Sequence, residues 1–167
     1  MAPLVVLGLG SNLGNRQAAL EEALRLLQQR GFRMTRRSST WHTAPVGGPP
    51  QGWFLNAVVA GETDLAPEEL LAACLDVEEE MGRVRAEKNG PRSIDVDILF
   101  HGAETREGPG LVIPHPRLHE RRFVLEPLNE VAPDLLHPVR GRTVAELLRE
   151  CPDTSAVKVL SPARVTA

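Results

Sequence analysis

Leu4-Val5-Val6-Leu7-Gly8-Leu9 is an unbroken apolar run, and from Arg16 to Arg30 the residues Ala19, Leu20, Ala23, Leu24 and Leu27 recur at helical spacing. The first stretch reads as a central strand and the second as a helix packed on it. Gly31 supplies the helix stop. Downstream, Phe32 to His42 reads as a second strand, Ala44 to Gly52 as a Pro/Gly loop, and Phe54 to Gly61 as a third strand. Pro67 then opens a second helix, with Glu68 and Glu69 in its first turn and Leu70, Leu71, Cys74, Val77 and Met81 as its apolar stripe. Gly82 ends it. A basic loop from Arg83 to Arg92 leads into a strand over Ile94 to Phe100, and short helices are predicted near Arg121 to Val131 and Thr143 to Glu150.

The order β-α-β-β-α-β predicts an α+β, ferredoxin-like, split βαβ sheet, mostly antiparallel, with two helices on one face. The additional C-terminal helices are available to cover the other face. With 167 residues and no repeat or linker, the chain reads as a single domain over 1–167. Neither Cys74 nor Cys151 belongs to a paired or metal-type spacing, which fits reduced cytosolic thiols. No secretory n-region opens the chain, and no run of about 18 apolar residues occurs in it. A net charge of -3 argues against whole-surface attraction to nucleic acid. We expect a cytoplasmic monomer acting on small molecules, without nucleic acid or membrane as partners.

In Ile94-Asp95-Val96-Asp97-Ile98 the two-residue period of a strand puts both carboxylates on one face and the aliphatic residues on the other. Alternate residues lie about 6.5 Å apart, where two unit charges repel by roughly 2.5 kcal/mol at an effective dielectric of about 20. Such a face is comfortable in water or around a cation, and hard oxygen ligands suit magnesium, one ion or two shared with substrate phosphates. Gly82-Arg83-Val84-Arg85 and Gly90-Pro91-Arg92 place three arginines immediately upstream. A polyphosphate carrying magnesium would satisfy both sets. Each element also has a plainer reading, as a solvated strand face and a solvated basic loop.

Gly8-Leu9-Gly10-Ser11-Asn12-Leu13-Gly14 joins a strand to a helix but fits neither a dinucleotide fingerprint nor a P-loop, so a tight packing turn is expected. His42, His101 and His137 lack metal-type spacing. His115, between Pro114 and Pro116 and followed by Arg117 and Arg121, is a candidate phosphate contact, although a turn histidine is the simpler reading. By residue type alone, Phe54 and Phe123 read as core.

Taken in order, Gly8 to Asn12, Thr43 to Gly47, Phe54-Leu55-Asn56-Ala57, Gly82 to Arg85, Gly90-Pro91-Arg92-Ser93-Ile94-Asp95-Val96-Asp97-Ile98-Leu99 and Pro114 to Arg117 resemble the 6-hydroxymethyl-7,8-dihydropterin pyrophosphokinases. The resemblance runs from about Leu4 to Leu128, and its Gly-Pro-Arg-x-x-Asp-x-Asp block is the most specific part. It implies transfer of pyrophosphate from ATP, as co-substrate, to the pterin, giving the pterin diphosphate and AMP in folate biosynthesis. It also implies two Mg2+ ions on Asp95 and Asp97, with Arg83 and Arg92 completing the catalytic group. For the pterin it implies stacking between Phe54 and Phe123, hydrogen bonding to Asn56, and a lining from Thr43 and Val46. For ATP it implies phosphate contacts from Arg83, Arg92, His115 and Arg121, a ribose contact from Glu78, and adenine near Ile98 and Val112.

Leu75, Asn89 and Pro116 depart from residue types found at those places in other members. Such chemistry rests on positioning and charge neutralisation, so no general base is nominated. The competing readings are another magnesium-dependent nucleotide-using transferase and a noncatalytic binding module whose arginine loops contact RNA. The Asp95/Asp97 face would repel phosphate unless a cation intervened.

Overall fold

The computed structural model of the protein describes residues 3–45, 50–82 and 94–161. Val46, Arg83 and Arg92, expected at the site, lie outside them, as do residues 46–49 and the rest of the basic loop.

The apolar run forms β1 (Leu4–Ser11), two residues longer than its hydropathy suggests. Asn15 caps the following helix, α1 (Arg16–Gln29), by accepting a hydrogen bond from the Ala18 amide at 3.0 Å. Gly31, at φ 100°, turns the chain into the next strand. The single strand expected from Phe32 to His42 is two, β2 (Phe32–Arg37) and β3 (Thr40–Thr43). The break is at Ser38, whose hydroxyl accepts from the Val58 amide at 2.9 Å and replaces a ladder carbonyl.

Next come β4 (Phe54–Thr63), α2 (Pro67–Glu80) and β5 (Asp95–His101), then a hairpin of β6 (Arg106–Gly108) and β7 (Leu111–Ile113) that the sequence reading lacks. Helices α3 (Arg122–Val131) and α4 (Val144–Glu150) fall where expected, and β8 (Val157–Ser161) adds an unforeseen edge. The main sheet runs β5-β1-β4-β3-β8, with β2 also on β4, and every pairing is antiparallel. Among the described residues the fold is thus a mixed α and β structure with four α-helices on an antiparallel sheet.

Each face of the sheet has its own core. Val5, Leu7 and Leu9 of β1, with Leu55, Ala57 and Val59 of β4 and Val96 and Ile98 of β5, meet Leu20, Leu24 and Leu27 of α1 and Leu70 and Val77 of α2. Each such leucine contributes about 1.5–3 kcal/mol by leaving water. On the opposite face, Val6, Val58, Ala60, Leu99 and Phe100 meet Leu125, Leu128 and Val131 of α3 and Val144 and Leu147 of α4. Glu130 fixes the end of α3 to the Ser39–Trp41 region: its carboxylate accepts from the Ser39 hydroxyl and the Trp41 indole N–H, both at 2.6 Å. The α3/α4 layer stops short of the ends of β1, β4 and β5 that carry Gly10, Phe54 and Asp95, and a cleft opens there.

Candidate active site

The cleft floor follows from strand register. Gly10 stands opposite Asp95 on one side and Asn56 on the other, while Gly8 stands opposite Asp97 and Val58. Strands lie about 4.8 Å apart, so a row from Asp95 through Gly10 to Asn56 spans roughly 10 Å, and its middle residue has no side chain. A Cβ at Gly10 would come within 2.6 Å of Asn56 Oδ1. Gly8 and Gly10 are therefore strand residues that keep a floor clear, which corrects the expectation of a packing turn there. Gly14, at φ 65°, is the turn glycine.

At one end of the row, Asp95 and Asp97 are part-exposed, while Ile94, Val96 and Ile98 are buried in the α1/α2 core. The strand alternation expected from the sequence is thus present. Two carboxylates on one face of a cleft fit magnesium, which takes one or two protein carboxylates and completes its shell with water and phosphate oxygens. Among the described residues no cluster of three or more His, Cys, Asp or Glu side chains forms a closed metal cage.

At the other end, Asn56 Nδ2 donates to Thr43 Oγ1 at 2.5 Å, which fixes the amide plane against β3. Phe54 from β4 and Phe123 from the first turn of α3 line the same end, with Arg117 and Arg121 along the α3 side. Neither phenylalanine is buried, and neither belongs to the two cores, so the core reading of both gives way to a cleft reading. The Arg121 guanidinium carbon lies 5.6 Å from the Phe123 ring centroid, within cation-π range. Asn12 donates to Gln51 Oε1 at 2.8 Å and to the Gly52 carbonyl at 3.0 Å, tying the β1–α1 turn to the rim.

His115 is set by its backbone N–H, which donates to the Leu99 carbonyl at 3.1 Å. Burial, and after it the charge of Arg121, push its imidazole down to about 4; Asp95 opposes the shift and Arg117 adds to it. The ring is therefore neutral at neutral pH. Its Nδ1 accepts from the Arg117 amide at 3.3 Å, which leaves the proton on Nε2 as a donor for an anion.

The structure gathers Thr43, Phe54, Asn56, Asp95, Asp97, Arg121 and Phe123 around one cleft. Glu78, Ile98 and Val112 are placed elsewhere. Glu78 is 3% exposed and accepts from the Val96 amide at 2.8 Å, blunting the outer edge of β5. Ile98 lies in the α1/α2 core, and Val112 faces outward on β7. Cys74, buried in α2, has its thiol pushed up to about 12 by burial, with Glu78 and Asp97 adding to the shift, so it is inert. The sequence reading missed Arg117 and the two floor glycines. Alternation of Gly8 and Gly10 within a strand was the available signal for the latter.

A model of the 7,8-dihydro-6-hydroxymethylpterin-pyrophosphokinase (HPPK) family matches residues 6–133. The chain belongs to the HPPK family. Among relatives, the Methylorubrum extorquens 2-amino-4-hydroxy-6-hydroxymethyldihydropteridine pyrophosphokinase is 47% identical over 144 residues, covering 85% of this chain and 89% of that protein. The mitochondrial folate synthesis bifunctional protein of Arabidopsis thaliana is 49% identical over 127 residues, which are 76% of this chain and 23% of that one. In fold, the chain is similar to wild-type Plasmodium falciparum HPPK-DHPS crystallised with pterin and p-hydroxybenzoate, at a TM-score of 0.68 and 18% identity, over 90% of this chain and 42% of that chain. The chain thus spans less than half the length of these two fusion proteins, and only their HPPK portion bears on it.

Proposed function

We propose that this pyrophosphokinase moves the pyrophosphoryl group of ATP onto the hydroxymethyl oxygen of 6-hydroxymethyl-7,8-dihydropterin, with magnesium bound, giving the pterin diphosphate and AMP for folate synthesis. The observation that carries the reading is the row of Asp95, Gly10 and Asn56 across three strands. It sets an ion-holding pair roughly 10 Å from an amide that offers both donor and acceptor, the length of a two-ring heterocycle with a one-carbon arm. Asp95 and Asp97 would hold the magnesium, which when bound would neutralise charge at the phosphates.

The chain's own residues do the rest. Asn56, braced by Thr43, meets the amide-like edge of the ring, and Phe54 and Phe123 offer their faces to it; a pterin contact of Val46 rests on family likeness alone. Arg121 and neutral His115 donate to phosphate oxygens, as do Arg83 and Arg92 of the basic loop. The ring's arm then points along the glycine floor toward the carboxylates, so the attacking hydroxyl and the phosphates meet over Gly8 and Gly10. The ribose contact of Glu78 and the adenine contacts of Ile98 and Val112 rest on family likeness alone. We read the sheet as ferredoxin-like on its β5-β1-β4-β2 order, and the protein as a single-domain cytoplasmic monomer. No helix among the described residues is long and apolar enough to cross a membrane.

ATP consumption should depend strictly on both added hydroxymethyl dihydropterin and magnesium. Consumption without the pterin would overturn the proposal.

A further inference from the structure

The segment after α4 lies beyond the family match, which ends at residue 133, and no site residue was expected there. It nevertheless touches both walls of the ring end of the cleft. On the first wall, α3 begins at Arg122 behind Arg121, whose side chain makes no capping hydrogen bond. The cap comes from Asp153, thirty-one residues away: its Oδ2 accepts from the Arg122 amide at 3.0 Å, and its Oδ1 accepts from the Ser155 amide at 2.8 Å. On the second wall, the Ala44 amide donates to the Ala156 carbonyl at 3.1 Å, and Val157 opens β8 opposite Thr43. Thr43 is the residue that holds the Asn56 amide.

We propose that Asp153 to Val157 form a bracket that sets the separation of the two pterin-binding walls, with Asp153 as a positioning residue for Phe123. The inference rests on the ring-binding role proposed above for Phe123 and Asn56. Its physical basis is that the first four amides of a helix have no intrahelical partner, so a side chain that accepts one of them fixes where the first turn sits. Phe123 is the second residue of that turn. The far end of α3 is already fixed by Glu130, so loss of Asp153 frees only the end that carries Phe123 and Arg121. Burial works against ionisation of the Asp153 carboxyl, yet the bonds from Ser155 and Arg122 hold its pKa below the usual range. The cap is therefore charged at neutral pH, as suits a helix N-terminus.

The bracket makes a selective claim. The ion-holding pair hangs on β5, on the far side of the glycine floor, and takes no support from this segment. Calorimetric titration with 6-hydroxymethyl pterin, in magnesium and a non-hydrolysable ATP analogue, should show Kd rising roughly tenfold in Asp153→Ala, the scale of a lost helix cap. The analogue's own Kd should rise by clearly less than the pterin's, since of its proposed contacts only Arg121 sits at the freed end of α3 while the ion-holding pair stays in place. Asp153→Asn and Asp153→Ser, which keep a capping oxygen, should restore most of the pterin affinity. An unchanged pterin Kd in Asp153→Ala, or equal weakening of both ligands, overturns the bracket. So does a failure of both capping variants to rescue while their melting temperatures match the parent. Phe123→Ala in the same titration separates the underlying reading: unchanged pterin affinity there removes Phe123 from the ring site, whatever Asp153 does.

Discussion

The two faces of the sheet are built from the same strands and do different work. The α1/α2 face is covered by leucine-rich helices, and from Val5 to Leu9, Leu55 to Val59 and Val96 to Ile98 its strand positions carry only Val, Leu, Ile and Ala. The opposite face is covered only where α3 and α4 lie. Beyond them its positions change to Gly8, Gly10, Asn56, Asp95 and Asp97, residues that bury poorly or carry no side chain. The strand period of two lets one β5 serve both faces, with Val96 and Ile98 in the core and Asp95 and Asp97 in the cleft. Stability and chemistry are thereby separated by the pleat, not by position along the chain. Substitutions on the first face should cost folding, and those on the open end of the second should cost activity.

The largest effect is expected at the carboxylates. Asp97→Ala, and likewise Asp95→Ala, should lower kcat/KM on the order of a thousandfold, since several kcal/mol of charge stabilisation would go with the ion. Their melting temperatures should stay close to the parent's, since neither side chain belongs to a core. Unfolding of either variant would mean that the second face also carries the fold there.

Two glycines sharpen the contrast. Gly61 of β4 lies opposite Met34, beside the register shift of β2, where a Cβ would sit 2.1 Å from the Arg33 carbonyl oxygen. Gly61→Ala should therefore destabilise by about 2–3 kcal/mol in denaturant titration. Gly10→Ala, whose Cβ would crowd the Asn56 side chain and otherwise meet the Phe54 ring at an ordinary 3.6 Å, should keep the fold and raise the pterin KM roughly tenfold by displacing that amide. Equal losses of stability in the two variants would erase the distinction between faces.

Phe123→Ala should raise the pterin Kd by about tenfold, near 1.4 kcal/mol, and leave the melting curve nearly unchanged, since the ring is not in a core. The last effect, absent at neutral pH and felt only in acid, concerns His115, whose folded pKa of about 4 lies below the ordinary 6.5. Between those values the unfolded chain binds the extra proton, so stability rises with pH across the window, is complete above about 6.5, and is lost as pH falls toward 4. In His115→Gln the decline of melting temperature from pH 6.5 to 4 should be shallower. An unaltered slope would show that the imidazole is not buried as described.

Most of the first face was legible because hydropathic period records burial. Ala19 to Leu27 and Leu70 to Val77 announced α1 and α2, and the flanking apolar runs announced β1, β4 and β5. β8 escaped because it is an edge strand that buries little, with Val159 and Leu160 exposed, so no alternation marks it. The break at Ser38 escaped because it depends on a hydroxyl reaching Val58 across the sheet. At the site, Asp95 and Asp97 were readable from spacing, whereas Phe54 and Phe123 needed the family likeness to leave the core. Glycine has no hydropathic signature, so the floor was read as a turn. Asp153 carried no signal at all, because a helix cap supplied from thirty-one residues away exists only after folding.

The central claim is that Asp95 and Asp97, separated by β1 from a ring-binding amide on β4, present the β-phosphorus of ATP to the pterin hydroxyl. Chromatography of the products made from ATP, magnesium and 6-hydroxymethyl-7,8-dihydropterin tests it most directly. The account predicts AMP in equal amount with a pterin diphosphate; ADP with a pterin monophosphate would contradict it.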